Sequence, residues 1–304
     1  MTFITLHIRR LVTSALVTVA AFVITATPAT GAQPTVVATT TILGDVARVI
    51  AGPDARVVTL MPVGADPHSW APSARQAASA RGARLLIANG SGLESGMRAF
   101  LGSVRDDGVP VLEVAPRAAP RPSPDGEPDP HFWTDPRRME LAARAIADAL
   151  GDRLSPAAAA RVTARATAYR AVLRREDRRI RASLRRVPVA KRVIVTNHHV
   201  LGHFAHRYRF RVVGAVIPST STLASPSAAD LADLVRVIRR EGVRAILVDS
   251  SSPRALADAL ADEADTPVRV ETLFSESLGP RGSGAATYLG MLRVNTGRII
   301  RAVR

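Results

Sequence analysis

The 304-residue sequence contains no cysteine. That excludes disulfides, thiolate nucleophiles and cysteine-ligated zinc. It also excludes the lipid-modified cysteine that anchors an exported bacterial protein to a membrane. Any metal site must therefore use His, Asp or Glu. Aromatic residues make up only 4%, too few for base-stacking platforms. Lysine is nearly missing: Lys191 is the only one, so almost all of the 41 basic residues are arginine. Against 26 acidic residues they give a formal net charge of +15. The arginines are dispersed and no nucleic-acid motif accompanies them. They read as a solvated surface, and no nucleic-acid partner is expected.

The N-terminus has a compartment signal. A short basic start, "MTFITLHIRR", precedes a run of 16 uncharged residues at 11–26 and then small residues up to Ala32. The run is shorter than the ~20 residues that span a bilayer. This is the pattern of a secretory signal peptide over residues 1–32. Export without an anchor implies a periplasmic or secreted protein, and His7 leaves with the signal.

Beyond it, short β-branched runs alternate with helical patterns. "PTVVATTT", "ARVVTLM", "RLLIANG" and "VPVLEVA" read as strands, as do "KRVIVTN", "FRVVGAVI", "VRAILVDS" and "VRVETLF". Such alternation specifies βαβ units and parallel sheets covered by helices. The fold class is α/β, with two lobes, each a mainly parallel sheet flanked by helices. Residues 116–130, rich in Pro, Gly and charge, form a loop. Asp135 and Pro136 start one helix, and Ser155 and Pro156 start another. The second runs about 30 residues to Pro188, roughly 45 Å long, and joins the lobes. The chain divides into an N-terminal lobe over 33–154, a bridging helix over 155–187 and a C-terminal lobe over 188–304.

Seven histidines serve the whole chain, and four fall in "TNHHVLGHFAHRY", residues 196–208. His68, in "GADPH", follows a strand. His131, in "DPHFWTDP", precedes a helix. His198 directly follows "KRVIVT". These loops lie at the strand edge where open α/β sheets bind ligands. Neutral imidazole is a good zinc ligand, and three of them leave one tetrahedral position. Glu276, in "LFSESLG", lies at the equivalent edge of the second lobe and can fill it. "HVLGHFAHRY" reads as a helix, so His199, His203 and His206 share one face. They read as a solvated or supporting face, with a second weak site as the alternative.

Taken together, "GADPH", "DPHFWTDP", "TNHHVLGHFAHRY" and "FSESLG…ATYLGMLRVN" resemble, in order, the motifs of the zinc- and manganese-specific solute-binding proteins of bacterial ABC importers. The resemblance covers essentially the whole mature chain. It implies two α/β lobes joined by one long helix, with the metal in the cleft between them. Carried over by position, the metal ligands are His68, His131, His198 and Glu276. Three departures stand out. Glutamate replaces the usual aspartate at 276, so water is an alternative fourth ligand. His203 stands where tyrosine is common. The loop before His131 lacks the histidine-rich insertion of many zinc-specific members and offers only Asp125, Glu127 and Asp129. Manganese-preferring members tend to hold a carboxylate in place of the third histidine, so His198 points to Zn²⁺ over Mn²⁺. Glu94 resembles an acidic position near the family's cleft but reads as an ordinary helix-start glutamate. Trp133 reads as a packing residue.

The expected function is capture of Zn²⁺ and its delivery to a cognate ABC permease in the cytoplasmic membrane. A metal-loading chaperone is a further possible partner, and the chain is expected to be a monomer and not an enzyme. A manganese-binding member of the same family is one alternative. Another is a zinc-dependent hydrolase with three histidine ligands and a bound water, although no H-E-x-x-H pair is present. Because ligands bind deprotonated, affinity is expected to fall as pH drops through the histidine range.

Overall fold

The first strand, β1 (Thr35–Ala38), is apolar on both faces, and that dictates its place in the middle of a sheet. The computed structural model describes residues 33–304; the signal-peptide reading of residues 1–32 lies outside them. After β1 come α1 (Thr41–Ala51), β2 (Arg56–Thr59), α2 (Ala74–Ala80), β3 (Leu85–Ala88), α3 (Arg98–Asp106), β4 (Val111–Glu113), α4 (Pro136–Gly151) and α5 (Pro156–Leu184). The second half runs β5 (Val193–Thr196), α6 (Gly202–Tyr208), β6 (Arg211–Ala215), α7 (Ala228–Glu241), β7 (Ala245–Asp249), α8 (Ala255–Glu263), β8 (Arg269–Leu273) and α9 (Tyr288–Val303). The strands form two four-stranded sheets, β2-β1-β3-β4 and β6-β5-β7-β8. Every pairing is parallel. The two-lobed α/β architecture is the one expected.

Alternation along the strands splits the core between the sheet faces. Val36, Ala38, Leu85 and Ile87 pack with α1 and α4, while Val37, Leu86 and Ala88 pack with Leu101 and Val104 of α3. In the second lobe Val193, Val195, Ile246 and Val248 face α7 and α8. Ile194, Ala245 and Leu247 face the other way, into the same apolar cluster as Val36 and Ile87. One core thus runs through both lobes by way of α5 and α9. α3 is short: its nine residues bury only Leu101 and Val104.

Capping sets the main helix boundaries. Asp135 accepts from the Arg137 amide at 2.8 Å and Pro136 follows it. Ser155 caps α5 in the same way. At 29 residues, α5 is about 43 Å long. Its contacts to the two lobes use opposite charges. Arg161, Arg165 and Arg174 bind Asp54 and Glu140 of the first lobe. Glu176 and Asp177, both buried, bind Arg293 of α9 at 2.7 Å and Arg207 of α6 at 2.6 Å. Among the described residues no helix is long and apolar enough to cross a membrane.

Hydrogen bonds from Arg161 and Arg165 hold the Asp54 carboxyl below its ordinary value. A depressed folded-state pKa contributes stability above the unfolded value, and that contribution is lost as pH falls through the folded one. Asp54→Asn is therefore expected to lower Tm by about 2–5 °C near pH 7. The gap between variant and parent should close below about pH 4. Thermal melts across pH check both points; a gap that stays constant with pH would contradict the ion-pair origin.

Candidate metal centre

Two Asp-Pro-His sequences build the N-terminal half of the site in the same way. Asp66 Oδ1 accepts the His68 amide at 3.0 Å, and Asp129 Oδ1 accepts the His131 amide at 3.0 Å. Each is an Asx turn, in which a short carboxylate bonds the backbone two residues on. The intervening proline restricts φ. The His68 turn is also braced from behind, where the Gly96 amide donates to the His68 carbonyl at 3.0 Å. A Cβ on Gly96 would lie 2.6 Å from the Ser69 and Trp70 carbonyl oxygens, so only glycine allows this approach. Asp129 does more than Asp66: its Oδ1 lies 2.7 Å from His131 Nδ1. Accepting the Nδ1 proton there leaves Nε2 with a free lone pair.

The C-terminal half comes from two strand ends. His198 lies two residues past β5, and its carbonyl accepts Thr196 Oγ1 at 2.6 Å. Glu276 lies three residues past β8. Its turn is held by Asp249, the last residue of β7. Asp249 Oδ2 accepts from the Ser275 amide at 2.8 Å, Ser275 Oγ at 2.6 Å and the Glu276 amide at 2.8 Å. Asp249 was missed by sequence reasoning; a lone acid closing a buried strand before "SSS" was its only signal.

The structure brings His68, His131, His198 and Glu276 together. One ligand atom from each lies within 4.8 Å of all the others, the only such group among the described residues. All four residues are at most 1% exposed. His198 Nε2 is 3.2 Å from Glu276 Oε1, His131 Nε2 is 3.5 Å from it, and His68 Nε2 is 4.0 Å from Glu276 Oε2. The His68 and His131 Nε2 atoms are 3.5 Å apart. A tetrahedral ion with bonds of 2.0–2.1 Å holds its ligand atoms about 3.3–3.4 Å apart. His198 Nε2 and both Glu276 oxygens have no hydrogen-bond partner in the protein. Burying polar atoms unpaired costs about 1–3 kcal/mol each; a cation that accepts their lone pairs removes that cost. The donor set thus fits a divalent ion.

Burial shapes the electrostatics. It pushes the imidazoles of His68 and His131 below the ordinary histidine value, His131 strongly and with help from the neighbouring His198. It pushes His198 down to about 4. The Glu276 carboxyl is pushed far up by the same burial. The imidazoles are therefore neutral, with lone pairs available at neutral pH.

The remaining histidines do not share a helical face. The His199 amide bonds the Ser219 carbonyl at 2.8 Å and the Val200 amide bonds the His198 carbonyl at 2.7 Å, which delays α6 until Gly202. His199 and His206 line an open depression with Arg121 and Asp129. His203 is fully buried, with Nε2 3.1 Å from the Asp129 carbonyl oxygen. Glu94 is not an ordinary helix-start residue. It is buried and accepts from the Asn89 amide at 2.6 Å, the Gly90 amide at 3.0 Å and Thr39 Oγ1 at 2.8 Å, tying the ends of β1 and β3 together. Trp133 packs against His131, with ring centroids 5.3 Å apart, and also donates Nε1–H to the Ser275 carbonyl at 2.7 Å. Asp125 and Glu127 are exposed.

Two α/β lobes that enclose a buried three-imidazole, one-carboxylate cluster define a two-lobed cation-binding protein. The family model described as ZnuA, zinc-uptake complex component A, periplasmic, matches residues 36–302. The chain belongs to this family, the metal-binding solute-binding proteins of ABC importers, and is not an enzyme. It is 30% identical over 277 residues to the zinc-binding protein TroA of Treponema pallidum, covering 89% of each chain. It is 27% identical over 262 residues to the manganese-binding lipoprotein MntA of Halalkalibacterium halodurans, covering 86% of this chain and 85% of that one. The solved periplasmic zinc-binding protein TroA superimposes with a TM-score of 0.83 at 29% identity, over 89% of this chain and 99% of that one.

The shifted pKa values move the pH dependence anticipated from sequence. Ligands bind a metal deprotonated, so affinity falls on acidification. Glu276, with its raised pKa, takes a proton first; the imidazoles follow below the ordinary histidine range. Between pH 7 and pH 5, log Kd for zinc is expected to rise, and less steeply than three ordinary histidines would make it rise. Competitive titration across that range checks the slope, and a slope near three would place the imidazoles at their ordinary values.

Proposed function

We propose that the chain captures Zn²⁺ outside the cytoplasmic membrane and hands it to an ABC permease. The ion is held by His68 and His131 from the lobe at 33–154 and by His198 and Glu276 from the lobe at 188–304. The segment 155–187 bridges the two. The observation that carries this reading is the convergence of three imidazole Nε2 atoms on one buried carboxylate. A nitrogen-rich set suits zinc, whereas manganese favours oxygen donors. The names of the relatives support a metal cargo and divide between zinc and manganese. Glutamate at 276 suits the reading because its two oxygens, both without protein partners, can follow the ion across a range of distances. The periplasm is the compartment that both the family description and the proposed signal peptide favour.

The test is competitive titration of the protein, stripped with chelator, using zinc against manganese near pH 7. One tight zinc equivalent is expected. His198→Ala should weaken it by more than about 100-fold, since even the loss of an outer partner costs 10–100-fold. Preference for manganese, or an unchanged affinity in the variant, would overturn the assignment.

A further inference from the structure

The two Asp-Pro-His turns share a second feature beyond their internal hydrogen bonds. In each, the aspartate that holds the histidine is itself held by a residue of the opposite lobe. Thr222, in the segment 216–227 between β6 and α7, places Oγ1 2.6 Å from Asp66 Oδ2. The same carboxylate fixes the His68 amide through Oδ1 and takes Ser69 Oγ at 3.0 Å. His203, on α6, places Nε2 3.1 Å from the Asp129 carbonyl oxygen and 3.6 Å from Asp129 Oδ2. Asp129 fixes the His131 amide and ring. The first turn of α6 fits against this aspartate because residue 202 is glycine; a Cβ there would lie 2.7 Å from Asp129 Oδ2. The next amide, Phe204, donates to Thr134 Oγ1 at 3.2 Å, on the same loop.

We infer that Thr222 and His203 are positioning residues that grip the two Asp-Pro-His turns from the opposite lobe and thereby set how long the cation is held. The inference rests on the metal-capture reading above. Neither residue belongs to the cluster of candidate ligands, so neither acts by adding a donor. Each acts through an aspartate. Separating the lobes strains the bond to that aspartate, and the aspartate is the group that fixes the histidine. Cleft opening and ligand displacement become one mechanical event. The two grips are unequal. Thr222 is half-buried at the rim and water can replace its bond, whereas His203 is fully buried. The His68 turn is thus the first to be freed and His131 the last.

The experiment is stopped-flow release of Zn²⁺ from the loaded protein into excess fluorescent chelator, beside association rates and melts of the metal-free form. Thr222→Val keeps the shape and removes the hydroxyl. Loss of a hydrogen bond to a charged group is expected to speed release about tenfold. Association should stay within about twofold, because affinity differences reside mainly in dissociation, and the metal-free Tm should fall by no more than about 2–4 °C. His203→Leu should also speed release, and His203→Gln, which keeps a donor near Nε2, should recover part of the loss. Release from Thr222→Val at the parent rate would overturn the inference. A parent protein that takes up no tight zinc would instead overturn the metal-capture reading, so the two failures are distinguishable.

Discussion

Four groups that water would normally solvate are buried against one another where the lobes meet: three imidazoles and the carboxylate of Glu276. Removing an ionised carboxylate from water costs several kcal/mol even after relaxation. The protein meets that cost by disfavouring charge throughout the cluster, with neutral imidazoles and a carboxyl whose pKa is raised. In the loaded state proposed above, a dication would reverse the balance: it would take the lone pairs of all four groups and make the ionised form of Glu276 the favoured one. The remaining features of the site serve to bring these four groups within coordination distance and to hold them there.

The backbone does this from a distance. Parallel sheets direct their carboxyl edges toward the cleft, and three of the four candidate ligands sit on loops anchored by an acid: Asp66, half-buried, for His68, and the buried Asp129 and Asp249 for His131 and Glu276. α5 keeps the two edges in register, with arginines that bind acids of the first lobe and acids that bind arginines of the second. The apolar core is continuous across the lobes, and polar bonds cross between them as well, from Ser277, Thr222, Phe204 and Tyr288 among others. Trp133 links the loop of His131 to the turn of Glu276 directly, and the Tyr288 hydroxyl donates to the Trp133 carbonyl at 2.6 Å.

Much of this is legible in the sequence because it is local. Strand-helix alternation, the caps Asp135 and Ser155, and the two Asp-Pro-His turns each involve residues a few positions apart. His198 is legible because it directly follows a strand, and Glu276 because of its place before Ser-Leu-Gly. What could not be read depends on partners far apart in the chain. Trp133 and Ser275 are separated by 142 residues and Asp66 and Thr222 by 156. The histidine cluster misled because His199 is drawn toward the loop after β6 before α6 begins, which breaks the helical spacing. Glu94 reads as an ordinary helix-start residue from sequence because its three donors come from the ends of two strands.

The central claim is that three imidazoles and Glu276 together coordinate the cation. X-ray absorption at the zinc edge, on protein loaded with one equivalent, tests it most directly. The expected spectrum shows a shell of nitrogen and oxygen near 2.0–2.1 Å, with outer-shell scattering from three imidazole rings. A shell dominated by oxygen, with scattering from one ring or none, would contradict it.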